Sequence, residues 1–359
     1  MHCELEFKSL HFDISWGCNI SCQMCTFHDD KHRNEYVKLE KVLSLSDGLE
    51  NFKHIHMGDG SEPLINKNWY EIIKYFKSMD KEVSLQTNGK NINNIEVAKK
   101  IVMSGLDRIS ISIDGIDDET ISSIRKGITY QEIISAIDLL NQAKKELNCN
   151  TPELESNIVA MRKNLNQIEP LVDLLVDKHF LKIRIGFLEL RKENKYLINE
   201  LLLYDKEKIK KIIKSIKNKL KSFNDKVKLD TDTFDFEETD NKRAECRAYY
   251  ERLYLRQDGN LYACYGKKLL GNVFEIGLDK CLESDDYKEF TKLIETKDNQ
   301  ICSSCRFCRV MTFDDIKSHF SLELINNYGV DVINESIEYA KNNKDISKYW
   351  NTYFNKTNL

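Results

Sequence analysis

The sequence predicts an α/β protein whose first half carries six strand–helix repeats, arranged as a partial (β/α)6 barrel of the TIM type or as an open doubly wound sheet. The first observation is that short β-branched runs alternate with segments whose apolar residues recur at helical spacing, which implies parallel strands covered by helices. The second is that several runs end in polar, glycine-containing turns, such as Gly58-Asp59-Gly60 and Asp114-Gly115. In both architectures ligands bind beyond the carboxyl ends of the strands, so we expect the functional site at these turns.

Six segments form the predicted strands of this sheet. They are Leu10–Ser15, His54–Met57, Glu82–Thr87, Arg108–Ile113, Leu154–Ala160 and Lys182–Phe187. A lysine-rich helix with isoleucines on one face follows at residues 204–223. We therefore expect four parts: a barrel over residues 1–200, a bridging helix within 201–230, a small cysteine-rich domain over 231–310, and C-terminal helices over 311–359.

Composition and charge exclude several classes of protein. The net charge of the 359 residues is −4, from 54 basic and 58 acidic side chains, which gives no reason to expect a nucleic-acid or membrane partner. No apolar run approaches the ~20 residues of a membrane span, and the N-terminus does not have the pattern of a signal peptide. We expect a cytoplasmic protein, in which eleven reduced cysteines indicate metal binding or catalysis rather than disulfides.

Three cysteines, Cys18, Cys22 and Cys25, follow the first predicted strand within eight residues. A cubane [4Fe–4S] cluster normally takes four thiolates, so a loop that supplies three leaves one iron open to a substrate or cosubstrate. Zinc is the alternative, because His28 could complete a closed set of four ligands on the same loop.

The spacing C-x3-C-x2-C after a first strand resembles that of the radical S-adenosylmethionine (SAM) superfamily. This resemblance implies the partial barrel rather than the open sheet, and a [4Fe–4S] cluster whose unique iron is chelated by SAM. One electron from the cluster, supplied by an external donor such as flavodoxin or ferredoxin, would cleave SAM to a 5′-deoxyadenosyl radical that removes hydrogen from the substrate. Met24, just before the third cysteine, would pack on the adenine, which suits its polarizable thioether.

Later turns resemble other motifs of the same family. Gly60-Ser61-Glu62-Pro63 resembles the glycine-glycine-glutamate-proline turn that holds the SAM amino group, although Ser61 replaces the second glycine. The resemblance also makes the Asn88 turn part of the SAM site, and it makes Ser112 and Arg125 candidates for the SAM ribose or carboxylate. An arginine binds a carboxylate through two parallel hydrogen bonds, which supports the assignment of Arg125.

A second cysteine group resembles the auxiliary-cluster domains called SPASM and, in shorter form, twitch. Its first two cysteines flank a predicted hairpin with strands Arg252–Arg256 and Asn260–Ala263, and a CxxCxxC segment follows. We expect one auxiliary [4Fe–4S] cluster held by Cys246, Cys264, Cys302 and Cys305, with Cys308 able to replace either of the last two. Two auxiliary clusters are the alternative, and they would need ligands from outside the cysteine set. Whether Cys281 is also a ligand is left undecided by the sequence. A structural zinc ribbon is the alternative interpretation of this cysteine pattern.

The sequence therefore predicts a radical SAM oxidoreductase or maturase acting on a small, sugar-like molecule or on a peptide. Arg162, after the fifth strand, and Glu189, after the sixth, are the candidate substrate contacts. The auxiliary cluster would accept an electron during an oxidation or hold the substrate. The alternatives are a non-enzymatic iron–sulfur electron-transfer protein and a zinc-binding interaction module.

Overall fold

The computed structural model describes residues 7–25, 35–223, 226–231, 252–263, 268–295, 319–320 and 322–342. The strands in these ranges are β1 Phe7–Phe12, β2 Ser15–Trp16, β3 Ser21–Cys22, β4 Glu35–Tyr36, β5 Phe52–Met57, β6 Glu82–Thr87, β7 Arg108–Ser112, β8 Arg125–Lys126, β9 Glu153–Ala160, β10 Phe180–Phe187, β11 Lys228–Asp230, β12 Arg252–Leu255, β13 Asn260–Ala263 and β14 Lys268–Asn272. The α-helices are α1 Leu39–Leu43, α2 Trp69–Ser78, α3 Ile95–Met103, α4 Asp118–Ile124, α5 Tyr130–Glu146, α6 Ile168–Asp177, α7 Lys206–Lys221, α8 Val273–Ile276, α9 Leu278–Glu283, α10 Asp285–Glu295, α11 Leu322–Tyr328 and α12 Val330–Asn342.

One ten-stranded sheet organises the molecule, in the order β11-β10-β9-β7-β6-β5-β1-β12-β13-β14. The six predicted strands are β1, β5, β6, β7, β9 and β10, and each pairs in parallel with its neighbours in this set. The α/β class and the parallel sheet are therefore confirmed. The first strand has the predicted length but lies three residues nearer the N-terminus, because it runs from Phe7 to Phe12 and Ser15–Trp16 forms a separate pair with Glu35–Tyr36.

The two faces of the sheet differ in polarity. In β5, Ile55 and Met57 are fully buried, whereas His54 and His56 lie on the opposite face and are partly exposed. Parallel strands covered on both faces are usually apolar throughout, so this alternation shows that helices cover one face only. The other face surrounds a polar cavity of about 630 Å³ inside the barrel.

The predicted hairpin forms and extends this sheet. β12 and β13 pair antiparallel, and β12 also pairs in parallel with β1 from Ser9 to Phe12. Gly259, at the hairpin turn, has a φ of +90°, and a Cβ there would lie 2.3 Å from the Phe274 ring. The hairpin's apolar side chains belong to the same core as those of the barrel, so barrel and hairpin share both sheet and core.

The later helices pack against this framework. Helix α7 buries Ile209, Ile213, Ile216 and Leu220, as its apolar stripe predicts. Cys281 is fully buried in α9 among apolar residues, and burial raises the pKa of its thiol to about 11, which is the behaviour of a core thiol. None of the helices in the described ranges is long and apolar enough to cross a membrane.

Candidate active site

The loop with the three cysteines is attached to the sheet by short backbone pairings. β3 pairs antiparallel with β8, which sets Cys22 opposite Arg125. The backbone N–H of Gln23 donates to the carbonyl of Ile124 at 2.8 Å, and that of Cys25 donates to the carbonyl of Cys22 at 3.1 Å. The loop is therefore held against the segment that follows α4, and all three thiols keep partial exposure to solvent.

Two side chains from other segments, the turn after β6 and strand β8, donate hydrogen bonds to cysteine sulfurs. Asn88, after β6, has its Nδ2 3.5 Å from Cys18 Sγ, and Arg125 has its Nη1 3.5 Å from Cys22 Sγ. Asn88 Nδ2 also donates to the side-chain oxygen of Asn19 at 2.8 Å. Donors of this kind stabilise thiolates that ligate a cluster and tune its reduction potential.

Arg125 is fixed by a buried ion pair. Its Nε lies 2.7 Å from Asp114 Oδ2, and the two residues are 6% and 1% exposed. The other Asp114 oxygen accepts from the backbone N–H of Val159 at 2.7 Å, and Asn164 Nδ2 donates to the Asp114 carbonyl at 2.9 Å. The turns after β7 and β9 together thus determine the position of the guanidinium beside Cys22.

Burial disfavours the thiolate form of two cysteines of this loop, Cys18 and Cys22, when no metal is bound. Burial raises the pKa of Cys22 to about 11, although the charge of Arg125 opposes the shift. Burial also raises the pKa of Cys18. Because only thiolates ligate metal, loading this site must release protons, and the two sulfur-directed donors then compensate the thiolate charge.

The Gly60-Ser61-Glu62-Pro63 turn is bound to the start of the cysteine loop. The backbone N–H of Glu62 donates to the carbonyl of Gly17 at 2.9 Å, and the Ser15 hydroxyl lies 2.8 Å from the Glu62 carbonyl and 3.1 Å from Ser61 Oγ. Ser61 therefore contributes a side-chain hydrogen bond in the position where the family pattern has glycine.

The Glu62 carboxyl group points into the protein and is 2% exposed. It accepts from Thr87 Oγ1 at 2.7 Å, from the N–H of Asn88 at 2.8 Å and from that of Leu64 at 3.2 Å. Burial raises its pKa to about 7 in spite of these three donors. Glu62 thus links its own turn to the turn after β6 that carries Asn88.

The other predicted site residues lie in different surroundings. Met24 is partly buried against an apolar cluster that includes Ile124 and Met161, and Ser112 is buried at the end of β7. Arg162 forms an ion pair of 2.7 Å with Asp205 near the surface, and Glu189 forms one of 3.4 Å with Arg191. The predicted auxiliary ligands lie outside the described residues: Cys246, Cys264, Cys302, Cys305 and Cys308.

The cavity inside the barrel is lined mainly by polar and charged side chains. Its lining includes His11, His54, His56, Asp59, Arg108, Glu155, Asn157 and Arg184. Burial and the nearby Arg108 charge lower the pKa of His54 to about 3, so its imidazole is neutral. Asp114, Thr87 and these histidines were not among the predicted site residues, although their positions at strand ends and their alternation along strands were visible signals.

Two family models match the chain: the radical SAM superfamily over residues 14–175, and the SPASM iron–sulfur cluster-binding domain over residues 246–309. The chain therefore carries a radical SAM domain and, after it, a SPASM domain. The radical SAM domain implies a [4Fe–4S] cluster and SAM, and the SPASM domain implies auxiliary iron–sulfur clusters. Three thiols with N–H donors directed at two of their sulfurs fit the first of these clusters.

Individual relatives differ in their named activities. A probable GTP 3',8-cyclase of Methanocaldococcus jannaschii is 29% identical over 58% of this chain and 69% of its own length. The mycofactocin maturase MftC of Mycolicibacterium smegmatis is 23% identical over 46% of this chain and 41% of its own. Most of the other cyclase relatives are matched over about half of their length, 51–58%.

Solved structures of proteins with bound S-adenosylmethionine share the fold of this chain. Streptococcus suis SuiB bound to S-adenosylmethionine superposes with a TM-score of 0.65 at 16% identity, covering 88% of this chain and 76% of SuiB. The structure described as native anSMEcpe with bound AdoMet gives a TM-score of 0.61 at 19% identity, covering 94% of this chain and all of that one. The partial barrel predicted from the cysteine motif is confirmed by these similarities.

Proposed function

We propose that this chain is a radical SAM oxidoreductase or maturase that abstracts hydrogen from a small, polar, sugar-like substrate. The observation that carries the proposal is the convergence of Asn88 and Arg125 on the sulfurs of Cys18 and Cys22 at the carboxyl ends of the parallel strands. When bound, the cluster and SAM supply a reducing electron and a 5′-deoxyadenosyl radical. An external donor such as flavodoxin or ferredoxin, in a cytoplasm that keeps thiols reduced, would provide that electron.

The chain's own residues have separate roles in this proposal. Cys18, Cys22 and Cys25 hold the cluster, and Glu62 fixes the turn whose Gly60 and Ser61 backbone receives the SAM ammonium group. Met24 packs on the adenine. Ser112 and Arg125 bind the ribose or carboxylate, and for Arg125 this contact is shared with Asp114.

The polar cavity supports a hydrophilic substrate. Hydroxyl-rich molecules require many hydrogen-bond partners when they leave water, and imidazole, guanidinium, carboxylate and amide groups line the barrel interior. Arg162 and Glu189 are proposed as further substrate contacts, each shared with the ionic partner it already has. A peptide is the second candidate substrate, because SuiB is known in a complex with its precursor peptide SuiA.

We also propose a single auxiliary [4Fe–4S] cluster on the four SPASM cysteines named above. Its function would be to accept the electron that a substrate radical loses when it is oxidised, or to hold the substrate. This cluster count makes a quantitative prediction, because each cubane contributes four irons.

The test is iron and sulfide quantification with a SAM-cleavage assay, both under anaerobic conditions with dithionite. We expect about eight irons per wild-type chain, about four in Cys22→Ala, and 5′-deoxyadenosine release by the wild type alone. Cys149→Ala is the matched control, because that thiol lies beside Thr151, away from the three-cysteine loop, and its loss should change neither measurement.

Two results would contradict the proposal. A chain that has an intact cluster but releases no 5′-deoxyadenosine from SAM would be an electron carrier. A colourless chain with two zinc ions per molecule after anaerobic purification indicates a zinc-binding module.

A further inference from the structure

A second group of metal-ligand side chains lies inside the barrel, on elements other than the cysteine loop. His11 belongs to β1, His56 to the neighbouring β5, and Asp59 to the turn that follows β5. His11 Nδ1 is hydrogen-bonded to Asp59 Oδ2, and His56 Nε2 lies 3.5 Å from Asp59 Oδ1. One ligand atom from each of the three residues lies within 4.8 Å of the other two.

The histidine on β5 is held in place through its second nitrogen. His56 Nδ1 is hydrogen-bonded to Ser84 Oγ at 2.7 Å, which leaves Nε2 directed at Asp59. Metal-binding histidines characteristically use the second ring nitrogen for an orienting hydrogen bond of this kind. The side chains of His11, His56 and Asp59 are 12%, 16% and 30% exposed, so the group is largely sequestered from solvent.

We propose that His11, His56 and Asp59 bind one divalent transition-metal ion inside the barrel. Two imidazoles and one carboxylate are a ligand set for zinc, cobalt or iron(II), whereas magnesium and calcium prefer oxygen ligands. Three protein ligands leave coordination positions open, as in catalytic rather than structural metal sites. These positions face the cavity that the three residues help to line.

The location of this site suggests what would occupy the open positions. Asp59 lies three residues before Glu62, whose turn is bound to the start of the cysteine loop. An ion held by Asp59 would therefore coordinate a hydroxyl or carboxylate oxygen of a molecule in the barrel, next to the proposed site of hydrogen abstraction. This assignment of the ligand rests on the proposed function, but binding of the ion does not.

The test uses Co²⁺ as the probe on the full chain with its iron–sulfur clusters reconstituted. Anaerobic equilibrium dialysis with metal quantification should give one Co²⁺ per wild-type chain beyond the cluster iron. His56→Gln and Asp59→Asn should each weaken cobalt binding at least about tenfold, since each removes a ligand. His54→Gln is the matched control, because it removes an imidazole of the same strand and cavity that also contacts Ser84, and it should change the affinity less than about twofold.

The spectrum and the iron content decide among the remaining results. In the difference spectrum against the same chain without cobalt, cobalt on imidazole and carboxylate adds none of the intense sulfur charge-transfer bands that a cysteine site produces, and iron content verifies that each variant has folded. New sulfur bands in that difference spectrum, cobalt binding by both ligand variants as tight as by the wild type, or no bound cobalt in a chain with full iron content would overturn the proposal. In the last case the three side chains form only a hydrogen-bonded chain. Cobalt binding by a chain that does not cleave SAM would contradict the proposed function alone.

Discussion

The guanidinium of Arg125 is shared between a carboxylate and a thiol. Its Nε contacts Asp114, its Nη1 contacts Cys22, and the arginine and the aspartate are almost fully buried. A buried ion pair contributes little net stability, but removal of one partner leaves the other charge without compensation. We therefore regard the Asp114–Arg125 pair chiefly as a device that positions an N–H group beside a cluster ligand.

Arg125→Ala should lower the free energy of unfolding by about 3–5 kcal/mol, because Asp114 would stay buried without its counter-charge. Urea titration of the reconstituted chain under anaerobic conditions measures this change. Arg162→Ala is the control, since its pair with Asp205 is partly exposed and should contribute at most about 1 kcal/mol. Equal effects of the two substitutions would show that the buried pair has no special structural role.

Glu62 gives the stability of the SAM-free chain a pH dependence. Burial raises the pKa of its carboxyl group from 4.5 to about 7, so the folded chain keeps a proton that the unfolded chain releases. The raised pKa of Glu62 therefore contributes at most about 3 kcal/mol to the free energy of unfolding. This contribution is fully present below about pH 4.5 and is lost as the pH rises through about 7. Burial raises the pKa of Asp13 to about 7 as well, so both carboxyls act in the same window.

Thermal unfolding between pH 5 and 8 measures this loss. Glu62→Gln and Asp13→Asn should each remove part of the pH dependence, and Glu71→Gln, at an exposed position on α2, should leave it intact. The interpretation fails if the slope is the same in Glu62→Gln as in the wild type.

Single residues differ in how far the sequence could reveal them. The three cysteines were predicted because they form a spaced motif, and Arg125 was predicted because a carboxylate ligand would need its positive charge. Asp114 was visible only as part of a turn, because its pairing with Arg125 depends on how β7, α4 and β8 pack. The inward direction of Glu62 was also hidden, since its partners Thr87 and Asn88 lie on the next strand.

At the scale of elements, the turn after β5 depends on one glycine. Gly58 has a φ of +102°, and a Cβ there would lie 2.4 Å from the carbonyl oxygen of Gln86 and 3.0 Å from Pro63 Cδ. Gly58→Ala should therefore combine backbone strain with a clash against the neighbouring strand end. Gly329, between α11 and α12, also has a positive φ, of +80°, but has open space around it.

The two glycines form a matched pair for measurement by urea titration. We expect Gly329→Ala to cost about 1–3 kcal/mol from strain alone and Gly58→Ala to cost clearly more. Similar losses in the two variants would mean that the contact with Gln86 relaxes without cost.

Long, strongly patterned elements were predicted well and short ones were not. The six parallel strands and the hairpin have β-branched or alternating sequences, so their positions followed from pattern alone, with errors of a few residues at their ends. The two-residue strands β2, β3, β4 and β8 carry no periodic signal, because partners distant in the sequence create them. The pairing of β12 with β1 has the same origin, as nothing in either sequence specifies the other.

At the scale of the whole molecule, a polar barrel interior is combined with an apolar exterior covered by helices. The strands therefore build a chamber instead of a filled core, and charged groups line it. TIM barrels normally fill this space with branched apolar side chains. The six-stranded partial barrel leaves room for a substrate, and we expect specificity to depend on the residues of β1, β5, β9 and β10 that face inward.

The pairing of β12 with β1 has a consequence for the history and engineering of this chain. Without the hairpin, β1 would expose unpaired backbone groups from Ser9 to Phe12, and such an open edge attracts other chains and promotes aggregation. The cysteine-rich segment cannot be exchanged between relatives as an independent module. Any recombination that replaces the hairpin must preserve its fit to the first strand, so β1 and β12 are constrained to evolve together.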